Sequence, residues 1–348
     1  MTSRERVHAV FNNQLPDRMP RWLGMSDEFS LKIQNYLDMD EEGVRRFVKD
    51  DFRVVRGRFT GSQENLAEGA TWRSPFGVER KGIGFGMPLS HPLQDVTTPE
   101  ELEAYNWPST DLIDCSLLRD DISRYEGEYA ILGGEWSPFW HDAIDLVGHE
   151  ELYFLMFDYP ETARLLFEKI TDYYVENSRL FFEEAGDLTD IFFIGNDLGS
   201  QSGPLMGINQ FREFLLPSIK RLVDLGHEYG LKVMMHCCGG YRPLIPSLIE
   251  IGMDGLHALQ PDCHGMEPEG IKRDFGSHIV LNGAIDSHHI LINGKSAQEV
   301  KQGCRRVLDI MGRGGAYIAG ASHDTILEET PVENVLAMFE AVDEYEYL

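Results

Sequence analysis

Leu231-Lys-Val-Met-Met-His-Cys-Cys-Gly-Gly240 is the stretch that decides the fold. Its apolar run is too short for a helix and suits one buried strand. The run stops at His236, two thiols and two glycines, so chemistry-bearing side chains sit where the strand would end. The same pattern recurs on either side. Tyr129-Ala-Ile-Leu-Gly-Gly134 ends at Glu135, and Ile191-Phe-Phe-Ile-Gly195 ends at Asn196 and Asp197. Gly255-Leu-His-Ala-Leu259 ends at Gln260, His278 to Ile285 ends at Asp286, and Ala316-Tyr-Ile-Ala-Gly320 leads to Ser322 and His323. Amphipathic runs expected to be helices separate them: Pro160 to Glu184, Ile208 to Tyr229, Pro243 to Ile251, Ala297 to Met311 and Pro331 to Tyr345. Short apolar runs alternating with helices describe βα units around a parallel sheet.

Six such units, with two earlier strand candidates at Arg21 to Ser26 and Asp51 to Thr60, count to eight. The expectation is a (β/α)8 TIM-type barrel with extra N-terminal helices and loops, forming one domain over residues 1–348. Residues 2–13 and 27–37 read as the early helices, and Gly61 to Pro92 as long loops with a hairpin over the site. In barrels of this type the carboxyl ends of the strands carry the active site. Any single Asp or Asn there is also accounted for as a loop or helix cap. Six in succession point to a site.

The 348 residues carry 58 acidic against 31 basic side chains, a formal charge of -27. Nucleic acid and anionic membranes would be repelled, so neither is expected as a partner. No apolar run approaches the roughly 18–20 residues of a membrane span, and the N-terminus has no apolar signal core. The expected location is the cytoplasm, where five cysteines stay reduced. Cys115 and Cys304 are placed in helices as small apolar residues, and Cys263 and His264 in an exposed loop. A homodimer is compatible with this sequence, which does not fix the oligomeric state.

Side chains alternate along a strand, so His236 and Cys238 share one face and Cys237 takes the other. An imidazole and a thiolate so spaced can converge on a soft divalent ion such as zinc. The competing reading is a hydrogen-bonded core histidine beside a buried thiol. His323 is a candidate third ligand reaching across the mouth. Asp197, Glu135 and Asn196 are the candidate catalytic groups, with Asp197 read as a general acid or base or as a loop cap. Gln201, Gln260 and Asp286 are candidates to hold a polar ligand, and Trp136 and Trp140 to wall an apolar one. Phosphate-loop, dinucleotide-fold and nucleophile-elbow motifs are absent.

Several of these strings together resemble the uroporphyrinogen decarboxylase superfamily, most closely its corrinoid-linked methyltransferase-like branch. They are Asn196-Asp-Leu-Gly-Ser-Gln-Ser-Gly-Pro-Leu-Met206, His236-Cys-Cys-Gly239, Leu248-Ile-Glu-Ile-Gly-Met-Asp254, Leu281-Asn-Gly-Ala-Ile-Asp286, Gly314-Gly-Ala-Tyr-Ile318 and Ser322-His323. The resemblance implies a closed barrel. In the thiol-methylating members a His-x-Cys pair and a distant third Cys hold zinc. His236 and Cys238 match the pair, whereas Ala321 to His323 supply no Cys. The branch that demethylates methoxylated or N-methylated compounds fits better, and it implies zinc and a corrinoid (cobalamin) carried by a separate partner protein. Decarboxylation of a uroporphyrinogen calls for an arginine-rich N-terminal segment, of which Pro16 to Trp22 offers only Arg18 and Arg21. A barrel that binds a ligand without catalysis is the remaining alternative.

Overall fold

The structure is a computed structural model that describes residues 1–60, 71–82, 86–125 and 127–347. Seven strands form one parallel sheet in chain order: β1 (Phe52–Val54), β2 (Ala130–Gly133), β3 (Ile191–Gly195), β4 (Lys232–His236), β5 (Gly255–Leu259), β6 (Val280–Ile285) and β7 (Tyr317–Ala321). The eighth position belongs to the short segment at Arg21, which pairs in parallel with Ala319. Trp22 N–H donates to the Ala319 carbonyl at 2.9 Å, and Asp51 N–H to the Arg21 carbonyl at 3.1 Å. One residue thus bridges β7 to the start of β1 and closes the (β/α)8 barrel. The Asp51 carboxylate, fully buried, pins this closure. It accepts Arg21 N–H at 2.9 Å, Arg6 Nη1 at 2.8 Å and both terminal nitrogens of Arg18 at 2.8 Å each.

Every residue of β3 is buried, as expected where both faces of a parallel sheet are covered. Alternation divides the core in two. Ile191, Phe193, Met234 and Ile318 point into the barrel, joined by Val7, Val10 and Phe11 of helix α1 (Ser3–Phe11) at its amino-terminal end. Phe192, Ile194, Val233 and Met235 point outward to the helices. Burial of each such Phe contributes roughly 2–3 kcal/mol.

The helical expectations hold closely: Pro160–Ala185, Ala297–Met311 and Val332–Asp343 form, and Asp27–Leu37 is a helix capped by Ser26. Three differences stand out. Asp51 to Thr60 is not one strand, because Phe52–Val54 joins the barrel while Arg58–Phe59 pairs with Ile113–Asp114 outside it. The run from Ile208 passes through a π-helical turn at Phe211–Leu215 before Leu216–Glu228, a wider turn than apolar spacing alone reveals. Cys115 lies just past a short strand rather than in a helix, while Cys304 is a buried helical thiol as expected. Thr71–Arg73, Glu79–Lys81 and Met87–Pro88 make a small antiparallel sheet. It supplies the hairpin expected between Gly61 and Pro92, of which residues 61–70 and 83–85 lie outside the described residues. Among the described residues, no helix is long and apolar enough to cross a membrane.

Candidate functional site

The carboxyl ends of β2, β3, β4 and β7 open on a cavity of about 500 Å³ lined by Trp136, His141, Asp197, His236, Cys238 and Asp324, among others. Arg80, Gly86 and Pro88 reach it from the small sheet, which therefore covers the mouth. Strand alternation sets the orientation at β4. Cys237 turns into the outer core, its sulfur accepting Leu198 N–H at 3.4 Å, while His236 and Cys238 face the cavity. Gly239 then turns the chain at φ +85, where a Cβ would stand 2.3 Å from the Gly199 backbone. Glycine is what lets the loops after β3 and β4 pack this closely.

His236 Nε2 lies 3.3 Å from Cys238 Sγ and 3.3 Å from Asp197 Oδ1. Asp197 is held in place by Cys238 N–H at 2.8 Å, and its second oxygen lies 3.5 Å from His141 Nε2. Burial raises the Asp197 pKa, but the bonds from His141 and His236 outweigh it and hold the carboxyl well below its usual range. Burial, followed by the Asp197 charge, pushes the Cys238 thiol far up. The donor atoms of Asp197, His236 and Cys238 lie within 4.8 Å of one another, as do those of His236, His257 and Asp324. A carboxylate, an imidazole and a sulfur form a donor set that suits zinc. The two groups share His236, and its ring decides between them. His236 Nδ1 is 3.0 Å from His257 Nδ1, so that nitrogen is committed to a hydrogen bond and Nε2 faces Asp197 and Cys238. His257 then stands behind the His236 ring, where a second residue can fix a histidine's tautomer. Burial holds the His257 pKa well below its usual value and keeps the ring neutral.

The other sequence candidates separate. Asn196 is fully buried, its oxygen accepting Trp140 N–H at 2.9 Å and its amide donating to the Ser137 carbonyl at 3.0 Å, so it braces the loop after β2. Trp136 lines the cavity, whereas Trp140 is core, stacked on Phe167. Gln260 accepts Gly239 N–H at 2.5 Å, and Asp286 caps the turn at Ser287–Ile292 through the N–H groups of His288 and His289. Gln201 is exposed, its carbonyl accepting from His264 N–H. His264 is exposed as expected, but Cys263 is buried. His323 lines the cavity with Nδ1 turned to the Thr325 carbonyl at 2.9 Å, and its neighbour Asp324 is the residue that reaches the histidines. Glu135 opens on an adjoining chamber with Arg56, and burial raises its pKa.

His257, Asp324 and His141 escaped the sequence reading. A signal existed for one of them: His257 sits on a strand directly in register with His236. Asp324 and His141 lie on loop and helix beyond the strand ends, where periodicity says nothing of direction.

Residues 89–345 match the family model described as uroporphyrinogen decarboxylase (URO-D). The methylcobamide:CoM methyltransferase MtbA of Methanosarcina acetivorans is 22% identical over 261 residues, 74% of this chain and 71% of that protein. A solved methyltransferase from Methanosarcina mazei superposes with a TM-score of 0.68 over 99% of both chains at 18% identity.

Proposed function

This chain belongs to the uroporphyrinogen decarboxylase family, and from that premise we propose that it is a methyltransferase moving a methyl group from a small methoxylated or N-methylated compound to the cobalt of a corrinoid on a separate protein. The observation that carries the reading is the convergence of Asp197, His236 and Cys238 on one cavity beside an aromatic wall. The curated relative supports it in that its name describes methyl exchange with a corrinoid.

An ether oxygen or amine nitrogen leaves poorly, because its bond to methyl breaks with the electron pair staying on the heteroatom. Zinc, held by Asp197, His236 and Cys238, would stabilise that developing charge as a Lewis acid. The chain's own residues do the rest. His257 orients His236, and His141 orients Asp197, so the donor atoms need little rearrangement. Trp136 and Pro138 wall the reacting end, and the small sheet that carries Arg80 and Pro88 limits water. A donor set with one sulfur also makes a more electrophilic metal than one with two thiolates. Among the described residues, Cys238 is the only sulfur in either metal-capable group. That favours demethylation over thiol activation, which is the second reading that the relative's name supports.

The test is to mix the purified protein with a Co(I) corrinoid and a panel of methoxylated and N-methylated donors, following conversion to methyl-Co(III) by absorbance. Donor-dependent conversion that Asp197→Asn slows at least about 100-fold is expected. If no donor converts Co(I), but methyl-Co(III) loses its methyl to a small thiol, the direction proposed is wrong.

A further inference from the structure

We propose that Arg56 receives a carboxylate, and that the chamber around it takes a small planar carboxylic acid whose other end lies at Asp197, His236 and Cys238. The inference deepens the methyl-transfer reading and rests on it for the role of that acid as methyl donor.

The chamber has a volume of about 480 Å³ and adjoins the metal-capable cavity, sharing Trp136, Pro138, Asp324 and Thr325 with it. Its walls are aromatic: Trp22, Phe52, Trp136, Tyr174 and Phe193. Such walls accept a flat apolar body, and a few polar groups then fix its orientation. Two cations line it. Arg45 is already ion-paired, Nη1 donating to Asp50 at 2.7 Å and to the Leu23 carbonyl at 2.9 Å, and Nε to Glu41 at 2.9 Å. Arg56 is different. Its Nη1 donates to the Gly134 carbonyl at 3.0 Å, and that is its only hydrogen bond among the described residues. The edge formed by Nε–H and Nη2–H has no partner among the described residues. Glu135 and Asp324 influence Arg56 through their charges, but neither makes an ion pair with it.

A guanidinium keeps its charge, so the half-buried Arg56 edge that faces the chamber favours an acceptor that enters it. Two parallel N–H groups match the two oxygens of a carboxylate. The Gly134 bond fixes the fork in advance. Trp136 supplies the track from one end to the other: the Arg56 guanidinium lies 5.7 Å from its ring, and the His236 ring lies 5.4 Å from it on centroids. A molecule of benzoate size that grips Arg56 therefore runs along the same indole that meets His236. Aromatic walls with the carboxyl groups of Asp50, Glu135 and Asp324 could also describe a box for a quaternary ammonium ion. The fixed charge of Arg56 opposes that occupant.

The probe is benzoate, measured by calorimetry on the full chain beside its neutral analogue benzamide and the cation benzylamine. Wild type is expected to bind benzoate at least about 10-fold tighter than benzamide, the range of one charge-assisted pair. Arg56→Met should erase that preference while benzamide affinity stays within about threefold, and Arg56→Lys should keep part of it. Arg56→Lys carries the comparison if Arg56→Met does not fold. Equal affinity of wild type for benzoate and benzamide, tighter benzylamine binding, or a preference that survives Arg56→Met overturns the proposal. None of the probes carries a transferable methyl group. A benzoate preference without any methyl transfer would leave the acid site standing and the reaction refuted, and transfer from neutral donors without the preference would do the reverse.

Discussion

Asp142→Asn should make this protein more stable relative to wild type as the pH rises. Asp142 lies behind the cavity wall, its carboxylate accepting the Tyr174 hydroxyl at 2.5 Å. Burial raises its pKa from 3.8 to about 6, against the opposing effects of Tyr174, Arg80 and His141. A carboxyl group whose folded pKa is raised holds its proton more tightly in the native state than in the unfolded chain. Wild type therefore suffers no penalty from this group below about pH 4. It loses stability as pH climbs through the window from 3.8 to about 6, and the full loss stands above that. A shift of about two units corresponds to roughly 3 kcal/mol, which in a chain of this length moves the unfolding midpoint by about 4 °C. Asparagine keeps an oxygen to accept from Tyr174 and carries no charge. Thermal unfolding of both proteins from pH 4 to pH 8 measures the difference. A Tm difference that grows in favour of Asp142→Asn across that window is expected. A difference that is flat with pH, or that falls, would refute the argument, whatever its absolute sign.

Two further substitutions probe the frame. Asp51→Ala leaves Arg18 without its buried partner and frees the Arg21 segment that closes the barrel. A loss of about 3 kcal/mol or more in urea unfolding is expected, and a change under 1 kcal/mol would mean that the closure does not depend on this carboxylate. Gly239→Ala forces a Cβ against the Gly199 backbone at a positive φ. It should cost at least about 2 kcal/mol and loosen the loops that carry Asp197 and Cys238; wild-type stability would show that the turn tolerates a side chain.

The sequence was most legible where burial and periodicity speak together. Ile191–Gly195 and Gly255–Leu259 were readable as strands because parallel strands covered on both faces become unbroken apolar runs. His236 and Cys238 were readable as a pair because strand alternation is geometric. The barrel's closure at Arg21 was far less so, since one bridging residue has no periodicity and depends on a carboxylate 30 positions away. The roles of Asn196, Trp140 and Asp286 were hidden for a related reason. A polar or aromatic residue at a strand end can face the cavity or brace the loop, and only three-dimensional partners decide which. His323 and Asp324 illustrate the point, as adjacent residues that the turn sends in different directions.

The measurement that tests the account most directly is metal content by mass spectrometry of protein purified without chelators, wild type beside His236→Ala and Cys238→Ala. Close to one zinc per wild-type chain, lost in both variants, is the expected result. Metal-free wild type, or zinc that persists in both variants, would contradict a metal centre built on Asp197, His236 and Cys238.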